Sequence, residues 1–402
     1  MVAESPAPTQ PRNVHIFGVT SFLNDTASEM AYWILPAFLV SLGAGPATLG
    51  IIEGIAESVA SFAKLFSGVW TDRIRRRKPL VVGGYFVANV VKPLLTIVTA
   101  PWQVLGIRFA DRLAKGVRGA PRDVMLSESV PPERVGSAFG VLQAMDSAGA
   151  IAGPLLAIAI MASFWGRQFG PRAVFLAAVI PGVLAILVVS LGLRETEHKP
   201  PKKSSIFGDA TRLPASYVYV LFAIALFSIG NSSDMFLVLR AQSIGIPASH
   251  APLLGLIFNI TYTAASWPAG RISDRTANAG SLSMWRYGTC AVGLLIFSGV
   301  YFAFAQAASR TVLYIAMAFY GLYYALTQPV LKAIVVDTVP RETRGRAFGI
   351  YYFVTSVAAL LASVATGEVW KHFGAHVPFM ISASLAALSA MMLLVVPKLF
   401  RK

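Results

Sequence analysis

The sequence predicts an all-α polytopic membrane protein, with twelve transmembrane helices in two pseudo-symmetric six-helix bundles. First, 55% of the 402 residues are hydrophobic and only 13% are charged, whereas soluble domains average about 25% charged residues. Second, the chain contains twelve apolar runs, most of them about 20 residues or longer, the length that crosses a ~30 Å hydrocarbon core. Third, sequence patterns of the first half recur in the second.

The apolar runs are expected to be helices, because backbone polar groups inside a bilayer must be satisfied within the segment itself. Residues 1–13 are short, polar and rich in proline, and they lack the pattern of a signal peptide, so we expect a disordered cytosolic leader. The twelve predicted spans are 14–42, 47–70, 79–100, 102–128, 137–162, 172–193, 214–240, 251–271, 282–305, 311–337, 346–368 and 375–397.

The charged residues between the spans predict the orientation of the chain. Loops such as "RIRRRKP", "RETEHKPPKK" and "PRETRGR" alternate with loops that carry few cations, such as "GAGPAT". The positive-inside rule places the basic loops, and with them both termini, in the cytosol. We expect a multi-pass protein of the bacterial inner (plasma) membrane. The net charge of +15 is then a signal of topology and of contact with the lipid bilayer, and nucleic acid is not expected as a partner.

The two halves of the chain repeat each other. "VPPERVGSAFG" at 130–140 matches "VPRETRGRAFG" at 339–349, and "SEM" at 28–30 matches "SDM" at 233–235. The longest hydrophilic interval divides them. The predicted domains are a six-helix bundle at 14–193, a cytosolic linker at 194–213, a second bundle at 214–397 and a cytosolic tail at 398–402. Repeats of this kind are typical of transporters.

Three motifs make the chain resemble the major facilitator superfamily. Span four carries Arg112 and Gly116 at the positions of the family's R-x-x-x-G motif. The loop after span two is similar to the family's G-x-x-x-D-R/K-x-G-R/K-R/K signature, at Gly68, Asp72, Arg73, Arg76 and Arg77. Span five resembles the antiporter motif of the drug:proton branch, at Gly140, Gly149, Gly153 and Pro154. The resemblance implies transport by alternating access, and the span-five motif implies proton antiport.

The resemblance also implies a conformational latch that holds the outward-facing state. Asp72 is expected at the N-terminus of a neighbouring helix, most plausibly span eleven near Gly345 and Arg346. Arg76 or Arg77 is expected to pair with Asp123 or Glu128, at the cytosolic end of span four. The alternative is that these cations only fix the topology.

Ionisable residues inside the predicted spans are candidates for proton coupling or substrate binding, because charges are costly in hydrocarbon. Asp111 can also form a structural pair with Arg108 or Lys115 along its own helix; Arg112 would then need an acid from another helix. The first half is predicted to handle charge and protons, whereas the second half offers mainly polar and aromatic groups. The ionisable candidates are Asp25, Glu29, Glu53, Glu57, Arg108, Asp111, Arg112, Lys115, Asp146 and Asp234, and the cavity-lining candidates are Asn231, Asn259, Trp267, Tyr323, Gln328 and Tyr351.

The leading functional hypothesis is proton-coupled efflux of a small organic molecule by a secondary active transporter. One alternative is transport or exchange of an organic or inorganic anion through the basic residues of span four. Another is a non-transporting receptor or scaffold. An enzyme is not expected: there is no nucleotide-binding loop, and with one cysteine and five histidines no metal site or cofactor is predicted. We expect a monomer without an obligate protein partner.

Overall fold

The structure is a computed structural model that describes residues 12–73, 76–131, 134–196, 213–273, 284–307, 309–339 and 344–400. The predicted leader, apart from its last two residues, and most of the predicted linker lie outside these ranges. Within the helices, some side chains are also outside the description: those of residues 65, 68–73, 135–137, 267, 270–271, 273, 329, 332–333, 336, 344–346 and 348.

The described residues form α-helices joined by short connections, with 3₁₀ turns at Lys92–Thr96 and Ala248–His250. The helices are α1 (Arg12–Tyr32), α2 (Leu35–Ser41), α3 (Pro46–Arg73), α4 (Lys78–Val91), α5 (Pro101–Glu128), α6 (Val135–Ala162), α7 (Phe164–Phe169), α8 (Pro171–Ala177), α9 (Val179–Gly192), α10 (Ala215–Gly230), α11 (Met235–Ser243), α12 (Ala251–Ser273), α13 (Met284–Gln306), α14 (Arg310–Thr338), α15 (Arg344–Phe373) and α16 (His376–Leu399).

The predicted all-α polytopic fold is confirmed. Each predicted span coincides with one helix or with consecutive shorter helices. Among the described residues, 7 helical segments are long and apolar enough to cross a membrane by length and composition. Helices α1, α3 and α5 are not among those segments, and they carry many of the ionisable candidates.

In three predicted spans one α-helix stops and a second begins. Span one breaks between α1 and α2, span six breaks at Ala178 between α8 and α9, and span seven breaks at residues 231–234 between α10 and α11. In spans one and seven the second helix is followed, two residues after its end, by a glycine with a left-handed backbone: Gly43 with φ 82° and Gly245 with φ 90°. Glycine suits these positions because a left-handed backbone is strained for residues with a Cβ. The repeat seen in the sequence therefore extends to local backbone geometry.

Contacts divide the chain into two compact units. The first contains 1–32, 59–98 and 106–204, and the second contains 33–58, 99–105 and 205–402. In the first unit, α1 packs along α6 and α9; in the second, α13 packs along α14 and α16. The second unit includes α2, which packs on α11. The predicted domain boundaries follow the sequence repeat and remain a prediction.

Candidate functional site

A cavity of about 250 Å³ in the first unit brings together charged side chains from α1, α3, α5 and α6. Of the candidates predicted from sequence, Asp25, Lys115 and Asp146 line it together. The other charged residues that line it are Lys64, Arg118, Arg122 and Asp123. A polar space of this size admits several water molecules. The two carboxyl groups of Asp25 and Asp146 therefore share one hydrated compartment with four cationic side chains.

Glycines of the span-five motif explain how Asp25 comes to lie against α6. A Cβ on Gly149 would lie 2.5 Å from the carbonyl oxygen of Phe22 and 3.1 Å from the Cβ of Asp25. A Cβ on Gly153 would lie 2.7 Å from the Cβ of Glu29. No room exists for side chains at these two positions, so the motif allows α1 and α6 to pack closely. This packing sets both acids of α1 beside α6.

The other members of the motif do not share this contact. Among the described residues, no heavy atom outside the local helix lies within 4 Å of a Cβ built on Gly140. Pro154 follows Gly153 inside α6. Gly116 of the R-x-x-x-G motif instead serves the packing of α5 on α3, because its Cβ would lie 2.5 Å from both the Ala60 carbonyl oxygen and the Ala63 Cβ.

A chain of buried polar side chains leads from α4 and the 3₁₀ turn that follows it to Asp25. Lys92 Nζ donates to Asn89 Oδ1 at 3.3 Å, and also to Ser28 Oγ at 2.8 Å. Asn89 Nδ2 donates to Asn24 Oδ1 at 3.1 Å, and Asn24 Nδ2 donates to Asp25 Oδ1 at 3.0 Å. Sequence reasoning missed the two asparagines. Their spacing from Ser28 and Lys92, four and three residues along apolar helices, is a signal that would have found them.

Asp111 has a partner that the sequence analysis did not name. Its Oδ1 lies 3.8 Å from Lys92 Nζ, a side chain of the 3₁₀ turn after α4. The guanidinium groups of Arg108 and Arg112 lie over the ring of Tyr32, 5.5 and 5.9 Å from its centre. Both cations therefore have an aromatic partner, which the search for acids alone did not anticipate.

A second cluster of carboxyl groups lies in the second unit, at the break between α10 and α11. Asp234 Oδ1 accepts a hydrogen bond of 2.7 Å from Tyr320 Oη. Glu53 is fully buried and accepts a hydrogen bond of 3.1 Å from Ser233 Oγ. Glu57 lies one turn after Glu53 on α3. The acids Glu53 and Asp234, predicted in different halves of the chain, therefore share one cluster in the second unit.

Aromatic rings surround Asp234. The rings of Phe258 and Tyr324 meet edge to face with centres 5.0 Å apart, and the ring of Tyr320 lies 5.3 Å from that of Tyr324. Tyr323 packs against the same group and is fully buried. It is a core residue in this structure rather than a cavity wall.

The remaining cavity-lining candidates take varied positions. Tyr351 is buried against Tyr352, with ring centres 5.2 Å apart. Asn259 is buried, Gln328 is half-buried, and Asn231 follows the last residue of α10. The side chain of Trp267 lies outside the description.

The predicted ion pair of the latch is present between α5 and the loop before α4. Arg77 Nη1 lies 2.6 and 2.7 Å from the two carboxylate oxygens of Glu128, and Arg77 is almost fully buried. Asp123 instead pairs with its neighbour Arg122 at 2.9 Å, and Arg76 is exposed. The predicted contact of Asp72 with span eleven, the surroundings of Gly68, and the side chains of Arg73 and Arg346 lie outside the description.

Two further groups strengthen this ion pair, and sequence reasoning missed both. Thr196 Oγ1 donates to Glu128 Oε2 at 2.7 Å. The Glu195 carboxylate accepts hydrogen bonds from the backbone N–H groups of Arg77 at 2.9 Å and Lys78 at 3.2 Å, at the N-terminus of α4 where a negative charge is favourable. The segment after α9 is thereby fixed to the loop before α4.

A metal centre is not apparent in the parts of the chain that the structure describes, where no group of three or more histidine, cysteine or acidic side chains is arranged to bind an ion.

Comparison with known proteins gives one consistent result. A sequence profile described as Major Facilitator Superfamily matches residues 17–330 and 220–401. An uncharacterized MFS-type transporter of Methanocaldococcus jannaschii is 31% identical over 95% of this chain and 94% of its own. The multi-drug resistance efflux pump PmrA of Streptococcus pneumoniae is 23% identical over 94% of each chain.

A solved structure agrees at the level of the fold. The bacterial homolog to the human lysosomal transporter Spinster, in an inward-facing and occupied conformation, matches with a TM-score of 0.73 and 14% identity, over 96% of each chain. Together with the helical architecture and the motifs, the profile match over nearly the whole length shows that this integral, multi-pass membrane protein belongs to the major facilitator superfamily of transporters.

Proposed function

We propose that this transporter exports a small organic molecule by alternating access, in exchange for protons that bind at Asp25 and Asp146. The observation that carries the proposal is the cavity that these two carboxyl groups share with Lys64, Lys115 and Arg122. The resemblance of the chain to an efflux pump supports the direction of transport. The orientation that we propose, from the distribution of loop cations, has both termini in the cytosol of a bacterial cell.

The chemistry of the cavity suits reversible proton binding. Two carboxylates in one compartment repel each other, whereas nearby cations favour the ionised form of both. A conformational change that alters the hydration of the cavity, or the distance to a cation, changes this balance. Protons would therefore be taken up in one state and released in the other, as coupling to a gradient requires.

Neutral variants of the two acids test the proposal. Asp25→Asn or Asp146→Asn is expected to reduce export of tetraphenylphosphonium driven by a proton gradient about a hundredfold or more, the usual effect of losing a positioned proton-transfer group. Exchange of labelled for unlabelled tetraphenylphosphonium, which needs no net proton movement, is expected to continue. Both are measured in proteoliposomes. Ser61→Ala, in the same cavity wall, is the matched control. If both Asn variants show proton-driven export at the parental rate, the proposal is wrong.

A second candidate function is transport of an organic anion. Arg118 is almost fully buried and lines the cavity, and its Nη1 atom has no hydrogen-bond partner among the described residues. A guanidinium nitrogen without an acceptor in a cationic cavity favours a carboxylate or phosphate group of a substrate. Three acidic side chains in the same wall weigh against this function, so it ranks second.

A further inference from the structure

The polar chain that ends at Asp25 has a single direction. Lys92 donates to Asn89, Asn89 donates to Asn24, and Asn24 donates to Asp25, over distances of 3.3, 3.1 and 3.0 Å. Asn24, Asn89 and Lys92 are each at least nine-tenths buried, with exposures of 2%, 5% and 7%. All four residues belong to the first unit.

The direction is fixed by groups that cannot reverse. The amide oxygen and nitrogen of an asparagine are assigned from their hydrogen bonds, and here two independent partners determine the assignment. The Lys92 ammonium only donates, so it requires Asn89 Oδ1 to face it. The Tyr85 carbonyl oxygen only accepts, and it receives a hydrogen bond of 2.9 Å from Asn89 Nδ2.

The orientation of Asn89 then dictates that of Asn24. Asn89 presents an N–H to Asn24, so Asn24 must use its oxygen as the acceptor and is left with its amide nitrogen toward Asp25. A donor fixed in this way stabilises the ionised carboxylate more than the protonated one. An amide does not itself ionise in this pH range, so neither asparagine carries the proton.

We propose that Asn24 and Asn89 are positioning residues that set the pH at which Asp25 exchanges its proton with the water of the cavity. This inference rests on the proposed function, because it requires Asp25 to be a coupling group. It assigns to two neutral side chains, outside the cavity wall, control over the working pH range of the transporter.

Charged side chains of several other elements also lie around Asp25 in and beside the cavity. Helix α9, which also packs on α1, has no charged or titratable side chain. The charged and titratable groups of the neighbouring elements include Lys64 of α3, Tyr85 of α4, Lys92 of the 3₁₀ turn, Arg108, Asp111, Arg112, Lys115, Arg118, Arg122 and Asp123 of α5, Asp146 of α6, Arg172 of α8, and Glu29 of α1 itself.

The test is the pH profile of proton-driven tetraphenylphosphonium transport in proteoliposomes. In Asn24→Ala, the Asp25 carboxylate loses the hydrogen bond from Asn24 Nδ2. The pH of half-maximal transport is expected to rise by about one unit, the equivalent of one hydrogen bond to a charged group. Asn89→Leu is expected to raise the pH of half-maximal transport by a smaller amount, because Asn24 keeps its amide but loses the partner that orients it.

Thr20→Val is the matched control. Thr20 lies one turn before Asn24 on α1, is fully buried, and its hydroxyl has no hydrogen-bond partner among the described residues. This variant is expected to keep the parental profile. A purely structural role of the asparagines would lower the amount of folded protein, measured by size-exclusion chromatography in detergent, without moving the profile.

The outcomes separate the two proposals. If the parent moves protons with substrate but Asn24→Ala keeps the parental profile, the positioning role is overturned and the proposed function stands. If Asn24→Ala does not fold, the pH profile of Asn89→Leu tests the inference instead. An Asn89→Leu profile equal to that of Thr20→Val overturns the inference. If the parent moves substrate without protons, the proposed function itself fails and the positioning role fails with it.

Discussion

Gly149→Ala is expected to lower the free energy of unfolding by about 1–3 kcal/mol, the usual cost of an added methyl group in a packed core. The new Cβ would lie 2.5 Å from the Phe22 carbonyl oxygen and 3.2 Å from its carbonyl carbon. These are backbone atoms of α1, so no side-chain rotation can relieve the overlap, and the two helices must separate. The measurement is the midpoint of thermal unfolding in detergent.

Gly140→Ala provides the control, because it makes the same change in the same helix and the same motif. Around a Cβ at Gly140, no heavy atom of the described residues outside the local helix lies within 4 Å. Its unfolding midpoint is therefore expected to stay close to that of the parent. Equal losses of stability in the two variants would show that close packing of α6 on α1 is not what Gly149 provides.

Glu128→Ala is expected to destabilise the protein by about 3 kcal/mol. Removing one partner of a buried ion pair costs about 3–5 kcal/mol because the other charge stays buried. Arg77 has a side-chain exposure of 1%, whereas Glu128 keeps 28%, which puts the cost at the lower end of this range. The same variant also removes the acceptor of Thr196. Thermal unfolding in detergent again gives the measurement.

Two comparisons show whether burial causes the effect. Glu368→Ala breaks a pair with His372 in which the Glu368 side chain is 45% exposed and the His372 side chain 60%. This variant is expected to lower the free energy of unfolding by less than about 1 kcal/mol. Replacing both Arg77 and Glu128 by leucine is expected to recover most of the loss, because no buried charge is left alone. If Glu128→Ala lowers the free energy of unfolding no more than Glu368→Ala does, burial of the Arg77–Glu128 pair does not stabilise the protein as we expect.

Most of the fold could be predicted because length and hydrophobicity determine where a chain crosses a bilayer. The predicted positions of the helices hold even for α5, which carries Arg108, Asp111, Arg112, Lys115 and Arg118. The interruptions at residues 33–34 and 231–234 were not predicted. Residues 33–34 are apolar and leave no signal in hydropathy, whereas residues 231–234 read "NSSD", a short polar run that an average over about 20 residues conceals.

Partners across helices were harder to predict than the residues themselves. The contact of Asp111 with Lys92 was not predicted, because spacing in one helix says nothing about the side chains of neighbouring helices. Asn24 and Asn89 were overlooked because candidates were selected by charge, and the side-chain amide of asparagine is neutral. The pair of Arg77 and Glu128 is one of the four that the sequence analysis left open, and few alternatives exist where a short loop meets the end of a helix.

The most direct test of proton-coupled export is the decay of an imposed pH gradient in proteoliposomes that contain the purified protein. Tetraphenylphosphonium is added first and benzoate second, with protein-free liposomes as the control for passive leakage. The proposed function predicts proton movement that depends on the protein and on tetraphenylphosphonium, and that is lost in Asp25→Asn. Movement that depends only on benzoate would instead favour the anion function. Measurable flux of tetraphenylphosphonium without any movement of protons would contradict proton coupling.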